Sequence, residues 1–404
     1  MAIFLLQPYR GGTLRAAKNL AKSIQQQANA EGYPLQVVFS CIAGHYDLEL
    51  DFLDLYELGI QVRETKWEMI SREQVKTMAY FDNVEFKETS SQYMIPFDGA
   101  SDFYDCEYWF FVTDRCNYLP NPLKKYGVLV HDYIQRYVPQ IFNTDIWETQ
   151  EKLFMPFVRN ASLVFTTTPS TRNDMISYAS VNSSKIQLLN FDFEPIKDIK
   201  SEQKESEKYF VWVTNTAQHK NHIRAIKALI RYYEVYNGSL KVIITGDLTD
   251  LFDHKIKTDS PYHYVNEVRS LIKKNSVLHK KIKYAGNVND MEYASILKRA
   301  CFLWHTNLYD NGTYSVCEAA YLGTPSLSSK YPPMEYINQT LSINLTFFDP
   351  YSIDDMAKKL IEMEENYKEI TLPSPEYLEQ FNWKKNANST FQVIKQYLFR
   401  GDNN

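Results

Sequence analysis

The apolar positions of this chain fall into short continuous runs separated by stretches of helical period, and the alternation occurs twice. Ile3-Phe4-Leu5-Leu6 is a continuous apolar run and reads as a buried strand. Leu14, Ala17, Ala21, Ile24 and Ala28 then recur at helical spacing, which predicts a helix over 14–30 that Gly32 stops. A second run predicts a strand over 35–39. Strand, Gly11-Gly12 turn, helix and strand is the opening of a doubly wound α/β domain. Residues 47–105 mix helical and strand patterns without a motif. Further runs predict strands over 108–112, 126–130, 162–168 and 186–190. The stretch 197–208 has almost nothing apolar and reads as a linker. The plan then repeats. Strands are predicted over 209–214, 240–246, 282–288 and 300–305, with helices over 223–236, 265–274, 290–300, 354–367 and 382–399. The expected organisation is one domain over 1–196, a linker over 197–208, a second domain over 209–381 and a closing helix over 382–404.

Four turns carry candidate chemistry. Asp310, Asn311, Gly312, Thr313, Tyr314, Ser315 and Val316 follow the strand at 300–305 and enter a helix that Gly323 and Pro325 close. Thr313 or Ser315 can cap that helix, and its first N–H groups suit a phosphate or a sugar hydroxyl. Asp310 and Glu318 frame the turn; a surface aspartate and a salt-bridged helix glutamate are an equal reading. The strand at 126–130 delivers His131 and Asp132 to its carboxyl edge, where open α/β sheets bind ligands. A packed histidine is an equal reading there. Lys220, in the turn 215–222, can set an ammonium against a diphosphate, although a turn lysine is more often just solvated. Gly11 and Gly12 permit close approach of a ligand to a helix start, or simply make a tight turn.

Taken together, these residues resemble those of retaining GT-B glycosyltransferases of family 4 (group 1). Asp310 and Glu318, separated by seven residues and followed by Ala319 and Gly323-Thr324-Pro325, match the family's donor-site motif, with Asp where the family usually has Glu. Lys220-Asn221 resembles the family's diphosphate-binding lysine. The arginine that many members carry five residues earlier is Asn215 here, which leaves Arg172 and Arg10 as unranked sources of a second charge. His131 resembles the histidine that faces donor sugar and acceptor. The segment Gly286 to Val288 resembles the one beside the nucleobase, and Gly11-Gly12 the turn near diphosphate and acceptor.

The resemblance implies two doubly wound, Rossmann-like α/β domains facing across a cleft, an acceptor-side one over 1–196 and a nucleotide-sugar-binding one over 209–381, with the closing helix over 382–404 crossing back onto the N-terminal domain. It implies retaining transfer of a hexose from a GDP- or UDP-sugar to an acceptor hydroxyl, in surface polysaccharide or glycoconjugate biosynthesis. Lys220 and the backbone of Gly312 to Val316 would hold the diphosphate, Asp310 the sugar and Glu318 the ribose. His131 would orient sugar and acceptor. No metal and no cofactor beyond the nucleotide-sugar co-substrate is implied, and the acceptor would be a saccharide or lipid-linked saccharide. The rivals are a nucleotide-sugar epimerase of the same fold and a non-catalytic nucleotide-sugar-binding protein.

Composition narrows the picture modestly. With 404 residues, 44% of them hydrophobic, the chain can bury two cores. A net charge of −5 argues against nucleic acid as the main partner. The 30 tyrosines suit sugar surfaces, yet most are expected in or beside the cores. Five scattered cysteines without a Cys-x-x-Cys pair suggest reduced thiols in a cytoplasm rather than zinc or disulfides. Gln7-Pro8-Tyr9-Arg10 ends the first apolar run too early for a signal peptide. No run approaches the roughly 20 apolar residues of a spanning helix. Lys124-Lys125, Lys273-Lys274 and Lys280-Lys281 read as solvated faces; weak contact with the inner face of an anionic membrane is the minority expectation.

Overall fold

The first apolar run forms β1 (Ala2–Phe4), wholly buried, with β2 (Val38–Ile42) and β5 (Tyr108–Phe111) in parallel on its two sides. The structure, a computed structural model, describes all residues except 82–92, 101, 116–123, 143–144, 191, 195–207, 258 and 400–404. The predicted linker lies outside the described residues apart from Lys208. The contacts divide the chain into two units. One comprises Met1–Tyr133, Asn143–Asp192 and Phe381–Asn404; the other comprises Ile134–Phe142 and Phe193–Gln380.

Around β1 the first unit adds β3 (Gln61–Ile70), β4 (Tyr93–Phe97), β6 (Lys125–Leu129), β7 (Leu163–Thr166) and β8 (Ile186–Leu188). Among the described residues the eight strands run β4-β3-β2-β1-β5-β6-β7-β8, all parallel except the β3–β4 pair. β2 begins three residues later than its apolar run. Tyr33 N–H bonds the Ala28 carbonyl and Leu35 N–H bonds that of Tyr33, so these residues complete the helix exit. The helix Gly12–Glu31 buries Ala17, Ala21, Ile24 and Ala28 of the predicted stripe and adds Leu20, while Leu14, near its start, is only partly buried. Trp383–Ile394 packs on it, bringing Phe391 and Ile394 into the same core. On the other face Phe4 meets Phe103, Trp109 and Phe111 at centroid distances of 4.8, 5.2 and 4.9 Å. Each such ring contributes about 1.5–3 kcal/mol by leaving water.

The second unit holds β9 (Tyr209–Val213), β10 (Lys241–Thr245), β11 (Ile282–Gly286), β12 (Leu303–His305), β13 (Ser326–Ser329) and β14 (Thr346–Phe348). Their order among the described residues is β11-β10-β9-β12-β13-β14, all parallel. The helix His222–Glu234 lays Ala225, Ile226, Leu229 and Tyr232 on this sheet. Phe210 stacks on Phe302 at 4.9 Å, and Trp212 lies 5.0 Å from Trp304. Much of the aromatic load is thus core.

Both sheets reverse direction at their first strand. The chain runs outward from β9 through β10 to β11, then returns on the other side with β12. The first unit does the same between β1 and β5. Crevices beyond the carboxyl ends of strands at such a switch are where open α/β sheets bind ligands. Among the described residues, no helix is long and apolar enough to cross a membrane.

Candidate functional site

Lys220 lies in the turn after β9, and Asp310 in the loop after β12, the two strands that border the switch of the second unit. The turn is held from below. Trp212 Nε1 donates to Thr306 Oγ1 at 3.1 Å, and Thr306 Oγ1 donates to the Lys220 carbonyl at 2.7 Å. Leu308 N–H donates to the His219 carbonyl at 2.8 Å. Asn221 ends the turn at φ 66°, a left-handed conformation that asparagine tolerates well, and its Nδ2 donates to the Pro350 carbonyl. The side chain of Asn215 closes the start of the turn, accepting from Ala217 N–H at 3.0 Å.

With both loops fixed, Lys220 Nζ comes 2.7 Å from Asp310 Oδ2. The same oxygen accepts from Asn307 Nδ2 at 2.7 Å, and Oδ1 accepts from Asn311 N–H at 2.8 Å. His219 Nε2 stands 3.8 Å away. Burial pushes the Asp310 carboxyl upward, but Lys220 and then His219 outweigh it and hold it at about 2. His219, His222 and His305 are each lowered to about 3, chiefly by burial and next by neighbouring positive charge, so all three imidazoles are neutral at pH 7.

The rest of the loop shapes a helix entrance. Gly312 has φ +101°, and a Cβ there would fall 2.1 Å from Ile337 Cδ1. Of the two capping candidates, Thr313 takes the role: its Oγ1 accepts from Ser315 N–H and opens the helix Tyr314–Tyr321. Ser315 and Val316 are buried in its first turn. Glu318, 4% exposed, accepts from the Tyr293 hydroxyl at 2.8 Å. Gly286 ends β11 and its carbonyl accepts from Thr245 Oγ1 and Gly246 N–H; Val288 follows in the loop and is partly exposed.

In the first unit, Gly11 precedes the helix that begins at Gly12, beyond the end of β1. His131 Nε2 donates to the Val112 carbonyl at 2.9 Å. Thr171 Oγ1 donates to the His131 carbonyl. Asp132 accepts from Arg115 Nη2 through both its carbonyl, at 3.0 Å, and its Oδ1, at 3.3 Å. Arg115 also faces Asp114, whose carboxyl burial pushes up to about 6 against the pull of Arg115. Of the two arginines proposed as a second charge, Arg10 is engaged by Asp51 and the His45 carbonyl. Arg172 lies in the first turns of Pro169–Ser177 and makes no ion pair among the described residues.

The structure therefore gathers Lys220, Asp310 and Asn311, and it places Glu318 with Tyr293. It also brings in His219 and Asn307, which sequence reasoning missed. A signal existed for both: His219 shares the turn of Lys220, and Asn307 stands three residues before Asp310. Asp114 and Arg115 were missed because an acid and a base beside a strand look like ordinary surface residues until their burial is known.

Residues 194–386 match the family model described as "Glycosyl transferases group 1". No curated protein sequence matches the chain. Among solved structures, sucrose-phosphate synthase from Thermosynechococcus elongatus superposes with a TM-score of 0.66 at 13% identity, covering 98% of each chain. Anabaena HepE, in complex with UDP and glucose, gives 0.61 at 14% identity over 98% of this chain and 96% of its own. WaaG, a glycosyltransferase involved in lipopolysaccharide biosynthesis, gives 0.59 at 14% identity with the same coverage. Residues 194–386 thus match the group 1 glycosyltransferase model, and the chain has the GT-B fold of these structures.

Proposed function

We propose that the protein is a retaining glycosyltransferase that moves a hexose from a UDP- or GDP-sugar to a hydroxyl of a saccharide or lipid-linked saccharide. The observation that carries this reading is the meeting of Lys220 and Asp310 at the β9–β12 switch, beside the helix entrance at Gly312–Val316, inside the matched domain. The neighbours support it: HepE is solved with UDP-glucose and WaaG acts in lipopolysaccharide biosynthesis. In the proposed reaction, bond cleavage leaves positive charge on the anomeric carbon and negative charge on the diphosphate. The Lys220 ammonium and the loop N–H groups meet that negative charge where it develops. Glu318 holds the ribose, and His131 orients sugar and acceptor through hydrogen bonds. The departing diphosphate accepts the proton of the acceptor hydroxyl, so no strong base is needed.

The test is a thermal-shift screen of the full chain against UDP, GDP and their hexose sugars, followed by transfer assays with the donor that binds. A ligand that binds only the native state raises its melting temperature. Transfer to an acceptor with the anomeric configuration kept supports the proposal. Donor turnover without any acceptor points to an epimerase instead. Binding without turnover points to a nucleotide-sugar-binding protein.

A further inference from the structure

The resemblance assigns Asp310 to the donor sugar, but its surroundings in this chain describe a different duty. The carboxylate is already met by three protein donors: the Lys220 ammonium and Asn307 Nδ2, each 2.7 Å from Oδ2, and the Asn311 N–H, 2.8 Å from Oδ1. The side chain is 19% exposed and that of Lys220 is 16% exposed, so water competes weakly for either. A carboxylate offers about four acceptor positions. Three are taken, and the ammonium shares one oxygen with an asparagine that is itself 2% exposed. Lys220 meanwhile is held at both ends by the loop after β12. Thr306 donates to its carbonyl, and Asp310 takes its ammonium. A lysine has four rotatable bonds in its stem and is otherwise a poorly directed charge. An anchor at each end leaves its Nζ one place to stand.

We infer that Asp310 is a positioning residue that aims the Lys220 ammonium at the diphosphate of the bound nucleotide, and is not itself a ligand of the donor sugar. The shorter aspartate, in place of the family's usual glutamate, then reaches the lysine rather than the sugar. This rests on the nucleotide-sugar reading proposed above. It predicts that Asp310 acts on everything carrying a diphosphate and discriminates nothing beyond it.

The experiment compares wild type, Asp310→Asn, Lys220→Ala and the double variant by calorimetric titration with UDP and UDP-glucose, and with GDP and GDP-mannose. Loss of a charge-assisted contact in Asp310→Asn is expected to weaken the free nucleotide by about tenfold. The nucleotide sugar should weaken by the same factor, so the ratio of the two affinities stays constant. In the Lys220→Ala background Asp310→Asn should add no further loss, because the residue acts through the lysine. A fall confined to the nucleotide sugar, or losses that multiply in the double variant, would overturn the inference. If Asp310→Asn does not fold, Asp310→Glu keeps the charge and displaces the ammonium. Equal weakening of both ligands again supports positioning, and a change in the nucleotide sugar alone overturns it. A wild-type chain that binds none of the four probes removes the nucleotide-sugar reading itself, and this inference with it.

Discussion

Lys220 and Asp310 are 90 residues apart in the chain and 2.7 Å apart in the fold. At the scale of single residues, that pair sets the chemistry. Its consequence for stability has a definite sign. The folded carboxyl titrates at about 2, below its ordinary range near 3.9, so the stability it contributes is complete above about pH 4 and lost as pH falls toward 2. Lys220→Ala is expected to cost donor affinity and turnover together, about tenfold or more in kcat/KM. It should also lower stability by about 1–3 kcal/mol, because Asp310 is left in a mostly buried place without its counter-charge. Steady-state kinetics and urea unfolding check both halves, and unchanged kinetics would take Lys220 out of the site. Gly312→Ala is expected to destabilise by about 1–3 kcal/mol, since φ +101° strains any L side chain and the new Cβ meets Ile337. A urea midpoint equal to wild type would mean that the loop relaxes. That Lys220 and Asp310 lie in turns, the latter before a helix that Thr313 or Ser315 can cap, was legible because turn chemistry is local; that these positions and Glu318 belong to a site was implied by the family resemblance. Which of them touch, and that His219 and Asn307 join them, was not legible, because contacts between two separate loops leave no local pattern.

At the scale of elements, the strand ends of the second unit concentrate imidazoles, those of His222 and His305 buried and that of His219 half-buried. His219 and His222 flank Lys220, and His305 ends β12, with Nδ1 facing Ser328 Oγ at 3.0 Å. Their folded pKa values, about 3, lie below the unfolded value near 6.5. A group whose folded pKa is depressed contributes stability that is complete above its unfolded pKa. These three therefore stabilise fully above about pH 6.5, and that contribution declines steadily as pH falls toward 3. Between pH 7.5 and pH 5 that loss is opposed by Asp114 and Asp192, whose carboxyls burial pushes up to about 6 and about 7, so the imidazole contribution is read as the difference in unfolding free energy between wild type and His305→Gln across the window. A difference independent of pH there would contradict the burial of that ring. The closing helix gives a second test at this scale. Phe391, fully buried against Gly12–Glu31, should cost about 3–5 kcal/mol when replaced by Ala. The helix itself was readable from its apolar spacing. Its partner was implied by the family resemblance and not by its own pattern, since a buried stripe records that something covers it, not what.

At the scale of the whole molecule, two sheets each carry their own aromatic core, and the chain passes between the units after Tyr133, Phe142, Asp192 and Gln380. The proposed chemistry at this scale uses a lysine and helix-entrance N–H groups as its source of positive charge. Transferase activity is accordingly expected to survive EDTA; strict dependence on an added divalent ion would refute the metal-free reading. The doubly wound plan was written in the alternation of apolar runs and helical stripes, because burial of a strand on both faces and of a helix on one imposes periods that any single segment displays. Turns that tolerate positive φ or cap a helix are likewise local and were visible. The tertiary structure alone decided the strand order that sets β9 beside β12, the antiparallel β4 at the sheet edge, and the inclusion of Ile134–Phe142 in the second unit. It alone brought an ammonium and a neutral imidazole within 4 Å of one carboxylate. Periodicity encodes which face of an element is buried; distance between elements depends on how all of them pack at once.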